Sequence, residues 1–236
     1  EYRRQRQMCI RDRQDGDQAY AAQCEVIRKV NPDIVALQES DTARPSGGFV
    51  NTATYFGRSL GYYTYYGPSS IAGTFGTAIL SRYRILSART TYTFSDADEV
   101  GTAEIEVEIG GKLVSLYNNH PSGSDTVMNA HAAFIVGEAQ RPGPMLATGD
   151  FNSRSNDAPY RAIAGVLHDA WATLHPDAKG PGFSFTTMAE EGSLDMADRI
   201  DHVFFSGDFE VLEAHYVQPP ESQTDHPVHW ARLRLR

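Results

Sequence analysis

Two short apolar runs constrain this chain more than any other feature: Ile34-Val35-Ala36-Leu37 and Met145-Leu146-Ala147, the second extended by Thr148. A strand that is apolar at successive positions has no face to offer water, so both faces must be covered by other elements. Each run ends abruptly in polar residues, Gln38-Glu39 in one case and Gly149-Asp150 in the other. Carboxylates therefore emerge where buried strands reach a rim.

The segments around these runs read as a layered α/β architecture. From Asp17, residues Tyr20, Cys24, Ile27 and Val30 fall on one helical face; Arg28 and Lys29 complement the dipole and Asn31-Pro32-Asp33 ends the helix. Thr52–Leu60 is a second helix closed by Gly61. Tyr62–Tyr66, Thr77–Ser81 and Arg84–Thr93 read as strands. Thr102–Ile109 alternates apolar with Thr and Glu, which predicts a strand with one wet face, and Gly110-Gly111 turns it into Lys112–Asn119. Ser124-Asp125 caps a helix running towards Gln140, and a further helix covers Asp157–Leu167. Strands follow near Arg199–Phe205, Phe209–Val217 and His229–Leu235. Many strands with few helices predict two packed sheets flanked by helices, in one domain over residues 14–236.

Residues Glu1–Arg13, EYRRQRQMCIRDR, carry neither helix nor strand period and no apolar core of a signal peptide. They read as a disordered basic tail or as a non-native stretch, since they resemble translated sequencing adapter. Either reading sets them outside the domain and leaves the native start, any targeting signal and the compartment open.

Composition narrows the function classes. No apolar run approaches the roughly 20 residues of a membrane-spanning helix. The two cysteines form neither a disulfide framework nor a zinc spacing. Twenty-one basic against thirty acidic residues give a net charge of −9, which disfavours a broad basic footprint for duplex nucleic acid. A nuclease that grips phosphate through a bound cation is still compatible.

The chemistry sits at strand ends. Leu37-Gln38-Glu39, Tyr117-Asn118-Asn119-His120, Gly149-Asp150-Phe151-Asn152 and Arg199-Ile200-Asp201 each close an apolar run, and Thr224-Asp225-His226 precedes the last strand. Any one of them is explained by a turn, a cap or a solvated loop. Together they point to one shared rim.

LQE, GDFN, RID and a terminal DH before Pro resemble the endonuclease/exonuclease/phosphatase superfamily, over essentially all of Asp17–Arg236. The resemblance implies a four-layer α/β/β/α sandwich of two mixed sheets and hydrolysis of phosphoesters with Mg²⁺ or Mn²⁺. Glu39 is the expected principal metal ligand and Asp225 a second, since Mg²⁺ favours one or two carboxylates with water and phosphate oxygens. By resemblance Asp150 positions or deprotonates the water, Asn152 donates to the phosphoryl oxygen, Asp201 orients His226 against the phosphate, and His120 is a second imidazole. Family members open with a central strand carrying an Asn that helps hold the metal shell. Nothing in residues 1–13 matches it and Asn31 is a poor substitute, so the expectation is a chain lacking its first strand, with weakened metal binding and activity.

Leu37–Pro45, Leu60–Ser69 and Gly76–Arg82 are similar to the C-terminal domain of membrane proteins that remodel GPI-anchor lipids. This makes Ser40, Asp41, Arg44 and Arg82 candidates for a phospholipid or small phosphodiester pocket, against a plain reading as loop polarity. The tyrosines at 62, 63, 65 and 66 suit a lipid surface, or simply a strand. Phe183–Thr187 is a candidate substrate-facing loop. The remaining histidines, His131 included, are expected in packing or surface roles.

The expected partner is a phosphoester substrate. Nucleic acid is disfavoured, a membrane lipid is compatible, and no obligate protein partner is evident. The leading function is a phosphodiesterase or phosphatase, the second a nuclease of the same fold, and the third a non-catalytic binding module.

Overall fold

The computed structural model describes residues 2–9, 16–42, 49–69, 73–96, 98–176, 199–217, 226 and 228–236. Its elements in chain order are β1 (Tyr2–Cys9), α1 (Gly16–Val30), β2 (Ile34–Asp41), α2 (Thr52–Leu60), β3 (Tyr63–Pro68), β4 (Phe75–Ser81), β5 (Ile85–Phe94), β6 (Glu99–Ile109), β7 (Lys112–Asn119), α3 (Asp125–Glu138), β8 (Met145–Asp150), α4 (Ala158–Ala164), β9 (His168–Asp169), α5 (Ala170–Leu174), β10 (Asp201–Phe205), β11 (Phe209–Val217) and β12 (Val228–Leu235).

Two six-stranded sheets result, ordered β11-β12-β1-β2-β4-β3 and β5-β6-β7-β8-β10-β9. Both are mixed, because β1 runs parallel to β2 and β7 parallel to β8 among otherwise antiparallel neighbours. Between the sheets lies a core to which Ile34 and Ile79 contribute from one side and Ile105, Val107 and Leu116 from the other. On the outer face of the first sheet, Tyr20, Cys24 and Ile27 of α1 and Phe56 of α2 cover Val35, Leu37 and Leu80. On the outer face of the second, Ala132 and Ile135 of α3 and Tyr160 and Ile163 of α4 cover Tyr117, Ala147 and Phe204. The order is therefore α/β/β/α, and the continuous apolar run of β2 is explained: Ile34 faces the other sheet while Val35 and Leu37 face helices.

Local signals fix several boundaries. Asn31 adopts a left-handed conformation (φ 54°) and its N–H donates to the Ile27 carbonyl at 2.8 Å, closing α1 where the Asn-Pro pair predicts. Gly61 (φ 74°) closes α2, and the Ser124 side chain accepts from the Val127 N–H to start α3.

Two expectations need correction. The run assigned to a tail outside the domain supplies β1, which pairs with β2 from Gln5↔Ile34 to Cys9↔Gln38 and with β12 from Tyr2↔Arg234 to Arg6↔Trp230. The first strand is thus not lacking. Ladders are built by backbone N–H and C=O groups that almost every residue offers, so a segment without side-chain periodicity can fill a place between two strands whose facing backbone groups otherwise lack partners. It fills that place without an Asn.

The second correction concerns β6, whose expected wet face is largely covered. Thr102 and Glu104 are buried, and the Glu104 carboxylate is held by Arg89, by Arg141 at 3.7 Å and by the Tyr117 hydroxyl at 3.2 Å. Only Glu106 and Glu108 further along the strand reach solvent. Alternation reports polarity, whereas coverage depends on where α3 packs.

Gly149 shows how tightly the site end of β8 is built. It has φ 150°, and a Cβ there would lie 1.9 Å from the Asn119 carbonyl oxygen of β7. Gly149→Ala must force β7 and β8 apart next to Asp150, and should cost about 3 kcal/mol or more. Urea denaturation at neutral pH checks this; a loss below about 1 kcal/mol would contradict the contact.

Candidate active site

Strand geometry brings four of the polar termini to one rim. β7 is parallel to β8 with Asn119 opposite Gly149, and β8 is antiparallel to β10 with Asp150 opposite Asp201. The end of β7, the end of β8 and the start of β10 are therefore adjacent. β2 belongs to the other sheet and is tied in by Asn118: its Nδ2 donates to the carbonyls of Leu37 (2.8 Å) and Ala78 (2.9 Å), and its Oδ1 accepts from Gln38 Nε2 at 2.6 Å.

Glu39 is aimed by a bulge. β2 pairs with β4 through Leu37↔Ala78 and resumes at Ser40↔Gly76, leaving Gln38 and Glu39 opposite Thr77 alone. Glu39 takes φ 51°, a costly conformation for a residue with a long side chain and one typical of functional rims. Its side chain is 30% exposed.

From Glu39 the groups form a chain. His120 Nε2 lies 4.0 Å from Glu39 Oε1 and 3.8 Å from Asp150 Oδ2, with its ring against Phe75. Asp150 Oδ2 lies 4.0 Å from His226 Nδ1, which lies 2.9 Å from Asp201 Oδ2. Asp150 Oδ1 accepts the backbone N–H of Asn152 at 2.8 Å, a turn that holds Asn152 at φ 45°, while Asn152 Nδ2 donates to the Pro121 carbonyl at 3.0 Å. Asp201 is set from behind, because the Tyr216 hydroxyl donates to its carbonyl at 2.6 Å and Arg199, bonded to Asp169 at 3.0 Å, lies 3.3 Å from that hydroxyl.

The electrostatics follow from this crowding. Burial first, and then the charge of Asp201, pushes the Asp150 carboxyl up to about 8. Burial, reinforced by His226, pushes His120 down to about 4, so its imidazole is neutral at pH 7. With Asp201 accepting at Nδ1, that nitrogen of His226 carries the proton.

Of the residues expected at the site, Glu39, His120, Asp150, Asn152, Asp201 and His226 are brought together. Asp225, Arg44 and the 183–187 segment lie outside the described residues. Two substrate candidates are not brought to the rim. Arg82 follows Ser81, which pairs with Ile34 at the opposite end of β2, and its guanidinium is engaged by Asn31, by Asp33 at 3.7 Å and over the Tyr62 ring. Ser40 is fully buried in β2, its Oγ without a hydrogen-bond partner among the described residues, and Asp41 is buried too. Both belong to the strand rather than to a lining.

Other contributors were missed by sequence reasoning. Asn118 and Gln38 join the sheets, and Asn119 Oδ1 meets His131 Nε2 at 2.9 Å beneath the site. The available signal was the presence of amides inside buried strand ends, since buried amides demand partners.

The donor set suits a divalent cation. Single ligand atoms of Asp150, Asp201 and His226 lie within 4.8 Å of one another, and Glu39 adds a carboxylate at the mouth. Burial, and after it the neighbouring charge of Asp201, holds the Asp150 carboxyl up, and bound positive charge would favour its ionised form. A two-sheet sandwich with clustered carboxylates, amides and imidazoles at one rim is the anatomy of a hydrolytic protein.

Residues 7–226 match the Endonuclease/Exonuclease/phosphatase family, and the chain belongs to that family, whose members hydrolyse phosphoester bonds. Solved relatives share the fold at low identity. An endonuclease/exonuclease/phosphatase family protein from Leptotrichia buccalis is 17% identical with TM-score 0.76, covering 99% of this chain and 100% of that one. One from Beutenbergia cavernae is 18% identical with TM-score 0.79, covering 99% and 72%. Truncated Caenorhabditis elegans TDP2 is 23% identical with TM-score 0.71, covering 98% and 97%. Protein cwh43 of Schizosaccharomyces pombe is 27% identical over 124 residues, which is 50% of this chain and 13% of that protein. Among the described residues no helix is long and apolar enough to cross a membrane.

The raised Asp150 carboxyl sets a pH signature. An acid whose folded value exceeds its ordinary 3.8 contributes stability in its protonated form, and that contribution is lost as pH rises from about 4 through about 8. In chelator, Asp150→Asn should match the parent near pH 4 and exceed its stability at pH 8 by of order 1 kcal/mol. Denaturant midpoints at the two pH values decide it; a variant less stable at pH 8 would refute the crowding.

Proposed function

We propose that this chain is a metal-dependent phosphoric ester hydrolase that cleaves a small-molecule or lipid-linked phosphoester with an activated water. The observation that carries this reading is the unbroken chain Glu39–His120–Asp150–His226–Asp201, with successive separations of 2.9–4.0 Å, drawn from separate strands and loops of both sheets. Glu39, with Asp225 as a second candidate, would hold Mg²⁺ or Mn²⁺, which supplies positive charge to the phosphoryl oxygens when bound.

The residues divide the work by their surroundings. Asp150, ionised once bound positive charge offsets the burial that raises its carboxyl, takes a proton from the attacking water as the water oxygen bonds to phosphorus. His226, held through Nδ1 by Asp201, presents Nε2 to a phosphoryl oxygen. The Asn152 side chain donates to a second oxygen once it leaves Pro121, and the backbone bond to Asp150 keeps it at hand. The ester P–O bond breaks and the departing oxygen takes up the proton that Asp150 accepted from the water, passed on through the neutral imidazole of His120, whose Nε2 lies 3.8 Å from Asp150 Oδ2. No serine or cysteine nucleophile is invoked.

A nuclease is the second reading, favoured by the family, whose description includes endonucleases and exonucleases. The acidic balance of −9 speaks against it, because non-specific nucleic-acid affinity rests on lysine and arginine. The resemblance of Leu37–Pro45, Leu60–Ser69 and Gly76–Arg82 to lipid-remodelling domains favours a lipid-linked substrate. A non-catalytic module has no use for the strained Glu39 or the raised Asp150.

With Mg²⁺ the protein should hydrolyse bis-p-nitrophenyl phosphate, and excess chelator should abolish the activity. Asp150→Ala should lower kcat by about 10²–10⁴-fold. Glu39→Gln should raise the Mg²⁺ needed for half-maximal rate by about 10–100-fold. Full activity in Asp150→Ala would sink the reading, and salt-sensitive plasmid nicking in place of diester hydrolysis would favour the nuclease.

A further inference from the structure

Beside the acid cluster the surface opens into a cleft of about 530 Å³ between the start of α3 and the turn entering α4, within the range of about 300–1,000 Å³ usual for small-molecule sites. Asn152 lines it, so the cleft begins at a residue of the reaction centre. Asp125 and Asn129 line it from α3 and Asp157 from the α4 side, with Met128 and Pro159 as its apolar part.

Its charged groups are all acidic, while the hydroxyls of Ser122 and Ser153 both donate and accept. Asn129 Nδ2 donates to the Asp125 carbonyl at 2.7 Å, which leaves the amide oxygen of Asn129 to accept. Asp157 Oδ2 accepts the Arg154 backbone N–H at 2.7 Å, and its other oxygen remains an acceptor. Asp125 adds an exposed carboxylate. Among the described residues lining the cleft there is no lysine or arginine. An occupant that both donates and accepts hydrogen bonds fits this lining, whereas a second phosphate would face two carboxylates.

We infer that this cleft binds the alcohol half of the substrate, and that this half is an uncharged, polyhydroxylated group such as a sugar-like ring. The inference rests on the hydrolase reading above and deepens it. Hydroxyls donate to the carboxylates and accept from the serines, Met128 and Pro159 pack against the carbon skeleton, and Asn152 sits where the cleft meets the phosphoester. Asp125 and Asn129 then determine specificity without touching the reacting atoms. Nucleotides, whose next phosphate would enter the same cleft, are excluded by charge.

The test compares glycerophosphoinositol, bis-p-nitrophenyl phosphate and a dinucleotide carrying a terminal phosphate, using the full chain with Mg²⁺, against Asp125→Asn and Asn129→Ala at exposed positions of α3. The polyol diester should be preferred to the dinucleotide. Each variant should lower its kcat/KM by about tenfold while leaving bis-p-nitrophenyl phosphate within about twofold. Equal losses on both diesters, no loss, or preference for the dinucleotide would overturn the inference while leaving the hydrolase reading intact. Binding supplies an arm independent of turnover: glycerophosphoinositol should shift the side-chain amide NMR signals of Asn129 and Asn152 in wild-type protein. Shifts without hydrolysis of any diester would fail the hydrolase reading and keep the cleft, whereas absence of shifts at saturating ligand overturns the cleft.

Discussion

Two sheets can be pressed face to face only if polar groups caught at their seam find partners, and Asn118 meets that requirement for this molecule. One amide on β7 donates twice to the backbone of the opposite sheet and accepts once from Gln38. Buried amides left unpaired are expensive, so this set defines how β2 lies over β7. Glu39 follows directly after Gln38, and His120 lies two residues beyond Asn118. The seam that joins the sheets therefore also places the mouth of the site against its interior.

The site is assembled against the grain of folding. Asp150 and Asp201 face each other across neighbouring strands, and burial raises the cost of ionising Asp150. The surrounding fold tolerates this because a large apolar core, with Leu37, Ala147 and Val203 fully buried, leaves the strands little freedom to separate. The burial that makes the ionised resting protein less stable also raises the basicity of Asp150. Glu39 follows the same logic in its backbone, with strain at a bulge exchanged for an aimed carboxylate.

Much of the architecture was legible locally. The apolar runs at Ile34–Leu37 and Met145–Ala147 required covering on both faces, and the structure supplies helices on one side and a sheet on the other. The polar clusters ending at Glu39, His120, Asp150 and Asp201 were legible as a rim because each directly followed a buried segment. Arg82 was named on the likeness of Gly76–Arg82 to lipid-remodelling domains, but an antiparallel strand delivers its end to the opposite rim. Residues Tyr2–Cys9 were misread because strand pairing uses backbone groups, which composition does not reveal. Glu104 was misread because alternation reports which side chains are polar and says nothing of what packs over them.

The chain on its own determined the period of each segment, the caps at Asn31 and Gly61, and the residue types available for phosphoester chemistry, since all of these are properties of neighbours in sequence. Only the tertiary structure decided which polar ends meet, how far apart they stand, which tautomer His226 holds and how basic Asp150 becomes. Those quantities depend on strand direction, register and burial, and such relations arise between segments far apart in the chain once the two sheets have closed on each other.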